Sequence, residues 1–352
     1  MTDEVWAERD TTPGRIEAAL RRLLAERHQQ SHAFVPARVM NLVAVVDGEF
    51  RGEIENRLER VGRYHPSRLI LCAVERGRTT IDAWATMAAE DEDPEPGHIA
   101  VTRERIELDI GPSHLRGLDT IVDPLLVSDL ATMVWAPHGH TEALERLRRL
   151  AQIVLIDSQD APELEAAVAR ALDLSDSAYV VDLAWLRSTP WRERVAAAFD
   201  PPSARRALSE ISSVTVRHRS DSAAAGLLFC GWLSSRLGWR PEELAHKRDA
   251  LVGHLRAKRS DVAVSLEPVE DMSAPGLAGV TIETASGAAV SLDRAPGGLV
   301  ASRRSRDGTE RRWTVLGASR GEGGILGEGV RQALLRDPTY VPALRCARVM
   351  VG

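Results

Sequence analysis

Several groups of residues have the types and spacing to do chemistry. His138 and His140, in APHGHTE, form an H-x-H pair, and alternating residues in an extended loop could approach one metal ion. Zinc takes roughly three or four protein ligands, and no nearby cysteine or histidine-rich segment completes a set, so the pair reads as surface histidines. The run GEGGILGEG at 321–329 could turn its amides toward a phosphate at a helix start. Its spacing matches neither the dinucleotide fingerprint nor the P-loop, and the P-loop lysine is missing, so a flexible connector is expected. Arg303, Arg304, Arg306, Arg311 and Arg312 flank an Asp307-Gly308 turn and should gather positive charge at one hairpin tip. Such a tip is a solvated turn, or a contact for an acidic partner surface or a sugar-phosphate effector. His65-Pro66-Ser67-Arg68 leads into the apolar run LILCAV. The proline sets the chain direction, and His65 and Arg68 suit either a strand start or an anion or partner contact. No nucleophile elbow, H-E-x-x-H, kinase signature or cysteine in a catalytic context occurs, so a non-enzyme without a cofactor is expected.

Tryptophan and cysteine narrow the field further. Eight tryptophans make up much of an aromatic content of only 4%. Trp185 and Trp191 stand among Asp182, Arg187, Arg192 and Arg194, a mixture that serves interface hot spots and cores alike. Cys72, Cys230 and Cys346 lie far apart in apolar runs, as buried free thiols of a reducing compartment do. The formal charge of -6 leaves no basic field for general nucleic-acid binding. The opening MTDEVWAERDTTPGR has acids where a signal peptide needs positive charge, and no apolar run approaches the roughly 18 residues of a membrane span. A cytoplasmic protein is expected.

The elements that must position these groups can be read from periodicity. At 352 residues and 44% apolar content the chain suits two domains. Thr12-Pro13 opens a helix over 13–28, with Ile16, Leu20, Leu23 and Leu24 on one face. VMNLVAVV and LILCAV are continuous apolar runs suited to strands covered on both faces, with a polar helix at 50–62 between them. After the acidic break EDEDPEPG at 90–97, the segment IAVTRERIELDI alternates as a strand; LATMVWAP, a helix from Thr141, IVLI and a helix through Leu164 and Ala171 follow. This alternation predicts an α/β domain with a mostly parallel sheet over residues 1–200. DLAWLRSTPWRERVAAAFDPP splits into two short helices, capped by Asp182 and opened by Thr189-Pro190, and reads as a bridge between domains. A smaller α+β domain over 201–352 should hold a strand at ISSVTVRH, an apolar helix at 221–237 whose small residues suggest close packing, and a charged helix at 241–256. Beyond these, an antiparallel meander over 262–316 and a final helix around 327–336 are expected.

Taken together, ARVMNLVAVV, HPSRLILCAV, DPLLVSDLATMVWAP, DLAWLRSTPWRERVAAAFD and GLLFCGWLSSRLGW resemble the glucose-6-phosphate dehydrogenase assembly proteins, the OpcA family of actinobacteria and cyanobacteria. The order and spacing match from about residue 36 to 240, and the 241–352 region matches only in general character. The resemblance implies an accessory protein that associates with glucose-6-phosphate dehydrogenase, promotes its active oligomer and raises its activity in the oxidative pentose phosphate pathway. The matching positions are His65, Pro66, Ser67 and Arg68, then Asp182, Leu183, Ala184, Trp185, Arg187, Trp191 and Arg192. Among these, His65, Ser67, Arg68, Asp182, Trp185, Arg187, Trp191 and Arg192 are expected to contact the partner as its allosteric activator. The alternative is a protein that binds or converts a sugar phosphate through the arginine patch and the glycine-rich run.

Overall fold

The structure, a computed structural model, describes residues 4–30, 34–35, 38–62, 66–89, 100–316 and 321–352. It is mixed α/β and divides into two compact units. The first comprises Met1–Ile156, Ser177–Val181 and Leu326–Leu335, and the second Asp157–Asp176, Asp182–Ile325 and Arg336–Gly352.

The first unit is built on one sheet: β1 (Glu4–Glu8), β2 (Phe34–Val35), β3 (Met40–Asp47), β4 (Ser67–Val74), β5 (Asp82–Ala89), β6 (Ala100–Ile110), β7 (Thr132–Trp135), β8 (Ile153–Ile156) and β9 (Tyr179–Asp182). The order is β1-β5-β6-β4-β3-β7-β8-β9, with β2 beside the start of β6. Neighbours from β6 through β4, β3 and β7 to β8 run parallel, while β5 is antiparallel to both β1 and β6. The continuous apolar runs explain the parallel centre: Met40 and Leu42–Val46 of β3 and Ile70–Val74 of β4 are buried, as strands sandwiched between helices must be. The covering helices of this unit include α1 (Pro13–Gln30), α2 (Arg51–Gly62), α3 (Leu118–Val122) and α4 (Thr141–Leu147). In α1 the predicted face is buried at Ile16, Leu20 and Leu23.

In the second unit α5 (Leu164–Ser175), α6 (Leu183–Arg187), α7 (Thr189–Phe199), α8 (Pro202–Arg205) and α9 (Ala223–Leu237) precede or interleave with a second sheet. Its strands are β10 (Ile211–Arg219), β11 (Ala245–Lys247), β12 (Ala250–Arg256), β13 (Asp261–Val269), β14 (Leu277–Thr284), β15 (Ala289–Ala295), β16 (Gly298–Arg304) and β17 (Glu310–Leu316). The order β11-β12-β13-β10-β14-β15-β16-β17 is antiparallel except for β10 beside β13. The expected meander is present. Gly276, Gly287, Gly297 and Gly308, from the predicted turns, all take the left-handed backbone such turns need. Alternation buries Val214, Val216 and His218 of β10 and Val280 and Ile282 of β14 on the face that α9 covers.

Three expectations are corrected. The charged segment 241–256 is the hairpin β11–β12, not a helix. Leu251, Gly253 and Leu255 follow a period of two, and a Cβ at Gly253 would meet Leu244 Cδ2 at 2.7 Å. The glycine-rich run is no connector, because α10 (Gly321–Leu335) incorporates it, and the amides beyond the first turn are spent on helix hydrogen bonds. The chain then closes on α11 (Tyr340–Met350), which buries Tyr340, Ala343, Leu344, Ala347 and Met350 at helical spacing. The segment 182–202, read as a bridge, lies inside the second unit.

Candidate docking face

Asp182 ends β9 and begins α6, and its carboxylate meets four donors. The Ser158 amide donates at 3.1 Å, the Ser158 hydroxyl at 2.6 Å, the Ala184 amide at 3.0 Å and the Tyr340 hydroxyl at 3.0 Å. Asp182 is thus the helix cap the sequence predicted, and also the hub of a buried polar cluster. Burial and the neighbouring Asp157 carboxylate push its pKa up, and the hydrogen bonds from Ser158 and Tyr340 oppose that rise. Beside it, Arg187 donates to both oxygens of Asp157, at 2.9 and 2.7 Å, with side-chain exposures of 6% and 8%. Trp185 donates from Nε1 to Asp337 at 2.9 Å, and the Arg192 guanidinium lies 3.4 Å from the Trp185 ring centroid. Burial lowers the Arg192 pKa to about 10.

These positions were expected to touch a partner, and the structure places them elsewhere. Trp185 and Trp191 are 2% exposed, Asp182 1%, and Arg187 and Arg192 8% each. In this conformation they frame the interior of the second unit and offer a second protein almost no surface. Sequence reasoning missed their partners Asp157, Ser158, Asp337 and Tyr340, which lie 24 to 158 residues away along the chain. The available signal was Asp157-Ser158 directly after the apolar strand IVLI, where a buried arginine finds a carboxylate.

In the first unit Ser67 opens β4. Arg68 donates to Glu104 at 2.7 Å and to the Leu125 carbonyl at 2.9 Å. Glu104 is 1% exposed and also accepts from Arg38. Arg68 therefore neutralises a buried carboxylate, the strand-start reading of HPSR, while His65 lies outside the described residues. The thiols of Cys72 and Cys230 are buried, with pKa raised by burial to about 12, and Cys346 is half-buried.

The order β6-β4-β3-β7-β8-β9 is that of a doubly wound sheet, with the switch point between β3 and β7 where such sheets bind dinucleotides. The residues there do not fit one. From the end of β3 the chain reads Asp47-Gly48-Glu49-Phe50-Arg51-Gly52, with two glycines four residues apart, a number and spacing that do not match G-x-G-x-x-G. The Asp47 amide donates to His138 Nδ1 at 3.3 Å, and His140 Nε2 lies 3.1 Å from the Asp47 carboxylate. The His138 ring packs on Phe50 with centroids 4.5 Å apart. A phosphate would meet a carboxylate and an amide already bonded. The H-x-H pair is thus folded over Asp47, with His140 only 13% exposed in its side chain, rather than lying free on the surface.

The accessible chemistry lies on the β16–β17 hairpin. Its tip turns at Asp307-Gly308, and register sets Arg303 opposite Arg311 and Arg304 opposite Glu310. Arg304 pairs with Glu283 and Arg312 with Glu310; Arg303, Arg306 and Arg311 have no acidic partner among the described residues. Trp313, opposite Ala301, is 41% exposed. β17 is the sheet's edge strand, so its outer backbone edge has no strand neighbour among the described residues. Three uncompensated arginines beside an exposed tryptophan can form bidentate bonds to carboxylates around an apolar anchor.

Comparison with known proteins gives the lineage. Residues 59–172 match the family described as glucose-6-phosphate dehydrogenase subunit N-terminal domain, and residues 178–344 match the corresponding C-terminal domain. Proteins named OxPP cycle protein OpcA are similar: that of Synechococcus elongatus is 27% identical over 56% of this chain and 45% of its own length. That of Nostoc punctiforme is 33% identical over 39% and 30%. The chain thus matches less than half the length of these relatives. Among solved structures, an oxidoreductase domain protein from Kribbella flavida aligns over 88% of this chain and 95% of its own, at 15% identity and a TM-score of 0.44. With both of its halves matched, the chain belongs to the OpcA family of glucose-6-phosphate dehydrogenase assembly proteins.

Proposed function

We propose that this protein is a non-catalytic accessory subunit that binds glucose-6-phosphate dehydrogenase, promotes its active oligomer and so raises its activity in the oxidative pentose phosphate pathway. The observation that carries this reading is the match of both halves of the chain to domains described as parts of a glucose-6-phosphate dehydrogenase subunit. The β16–β17 hairpin supplies the contact, with Arg303, Arg306 and Arg311 on an acidic surface of the enzyme and Trp313 as the apolar anchor. Activation then follows from binding one assembly state of the enzyme more tightly than another.

The test is to purify both proteins, follow co-elution and measure NADP reduction with and without this chain. Activation and co-elution are expected, and unchanged kinetics with separate elution would remove the reading. Arg306→Glu with Arg311→Glu reverses two exposed charges and should weaken association at least about tenfold, mostly through a slower on-rate, while stability stays within about 0.5 kcal/mol. Unaltered association of that folded variant would place the contact on another face.

A further inference from the structure

The second unit holds a cleft that the hairpin contact does not use. Its volume is about 900 Å³, and its floor is apolar, with Leu244, Leu251, Leu266 and Met350 buried against it. Around the opening stand Glu163, Glu243, Asp249 and Glu270, none with an ion-pair partner among the described residues. Glu165 also lines the cleft but is engaged by Arg348 at 3.3 Å. Against these carboxylates the lining offers Arg248 and the imidazoles of His218 and His246. Concave, low-dielectric walls concentrate such a field.

A second observation gives the ligand its polarity. His218 lines the cleft with 4% of its surface exposed, and its Nδ1 lies 2.7 Å from the Arg219 carbonyl. A carbonyl only accepts, so Nδ1 carries the proton and donates, and Nε2 is left as an acceptor with no protein partner among the described residues, open to whatever fills the cleft. Burial lowers the pKa of this ring and keeps it in the neutral form that accepts. A solvent-reached acceptor beside apolar side chains, in a cleft also lined by carboxylates without counter-ions, is complementary to a molecule with N–H donors, positive charge and a hydrocarbon stem.

We propose that this cleft binds an organic cation of the alkylammonium or alkylguanidinium class, with its charged groups on Glu243 and Glu270, an N–H on His218 Nε2, and its stem over Leu251 and Leu266. The cation can be a free polyamine or an arginine side chain presented by a peptide. Titration calorimetry of the full chain with spermidine and, separately, with N-acetylarginine amide tells the two apart: the source is the probe that binds tighter. Glu243→Gln with Glu270→Gln, at the rim, should weaken that probe by about tenfold or more. In the unmutated chain the His218 ring nitrogen resonance should shift on binding. No binding of either probe below about 1 mM, equal binding by the variant, or displacement by magnesium at matched ionic strength would overturn the proposal.

Discussion

If Arg187 belongs to the frame of the second unit rather than to a docking surface, its removal must cost stability first. Arg187→Met keeps most of the aliphatic stem and deletes the charge, leaving Asp157 buried and uncompensated. The pair is bidentate at 2.7 and 2.9 Å and nearly dry. Charge centres about 4 Å apart in an effective dielectric of about 20 attract by about 4 kcal/mol, in line with the roughly 3–5 kcal/mol typical for breaking a buried pair from one side. Arg187→Met with Asp157→Leu removes both charges and should recover to within about 1–2 kcal/mol of the parent, since desolvation offsets most of the pair's attraction. Urea unfolding of the full chain, followed by tryptophan fluorescence, measures both. Because two units need not unfold together, the comparison rests on the transition that the double variant restores. A single variant within about 0.5 kcal/mol of the parent, or a double variant no better than the single, would refute the interior assignment.

His138 and His218 both have pKa values held below the ordinary 6.5, chiefly by desolvation. The unfolded chain therefore protonates first as pH falls, so their contribution is complete above 6.5 and is lost as pH drops through the folded values. Thermal melts at about pH 7.5 and about pH 5.5 should show this loss, reduced in His138→Gln, and either ring titrating above 6.5 by NMR would contradict it. Cys72 and Cys230, with pKa near 12, should resist thiol reagents in the native chain while half-buried Cys346 reacts slowly, and rapid labelling of three thiols without denaturant would contradict the burial. Gly231→Ala would set a Cβ 2.2 Å from the Ala343 carbonyl oxygen where α9 packs on α11, so a loss of about 2 kcal/mol or more is expected in the melting of the second unit, and a neutral result would show that these helices separate freely.

The first sheet was readable because strands covered on both faces must be continuously apolar, and VMNLVAVV and LILCAV leave little alternative. The meander was readable from Pro-Gly, Ser-Gly and Asp-Gly pairs that need a left-handed backbone. By contrast, 241–256 misled because Leu244, Leu251 and Leu255 satisfy a helical period, whereas the strand period is carried by Leu251, Gly253 and Leu255, where a glycine hides the pattern. β1 and α11 escaped notice because five residues of edge strand carry a weak pattern, and because Asp337 hides a helix start whose value lies in bonds to Trp185 and Thr339.

The DLAW and WR positions bear on what a motif can mean. Each of their charged or polar groups is buried, and a buried group restricts its neighbours because every donor must find an acceptor at bonding distance. Asp182 fixes Ser158 and Tyr340, Arg187 fixes Asp157, and Trp185 fixes Asp337. That demand gives the segment an unusual spacing, which is why it stands out in a sequence. A docking edge has no such demand: Arg306 and Arg311 must only lie on one tip and keep their charge, and solvent forgives a shift of one residue. The most recognisable stretch of the chain is therefore its frame, while the proposed contact surface lies beyond residue 240, where the C-terminal family domain still matches but no short motif stands out. Transplanting the hairpin tip, residues 303–313, onto an unrelated β-hairpin scaffold should confer measurable, salt-sensitive affinity for the dehydrogenase, whereas transplanting 182–192 should confer none. Affinity carried by the second graft alone would reverse the assignment of frame and face.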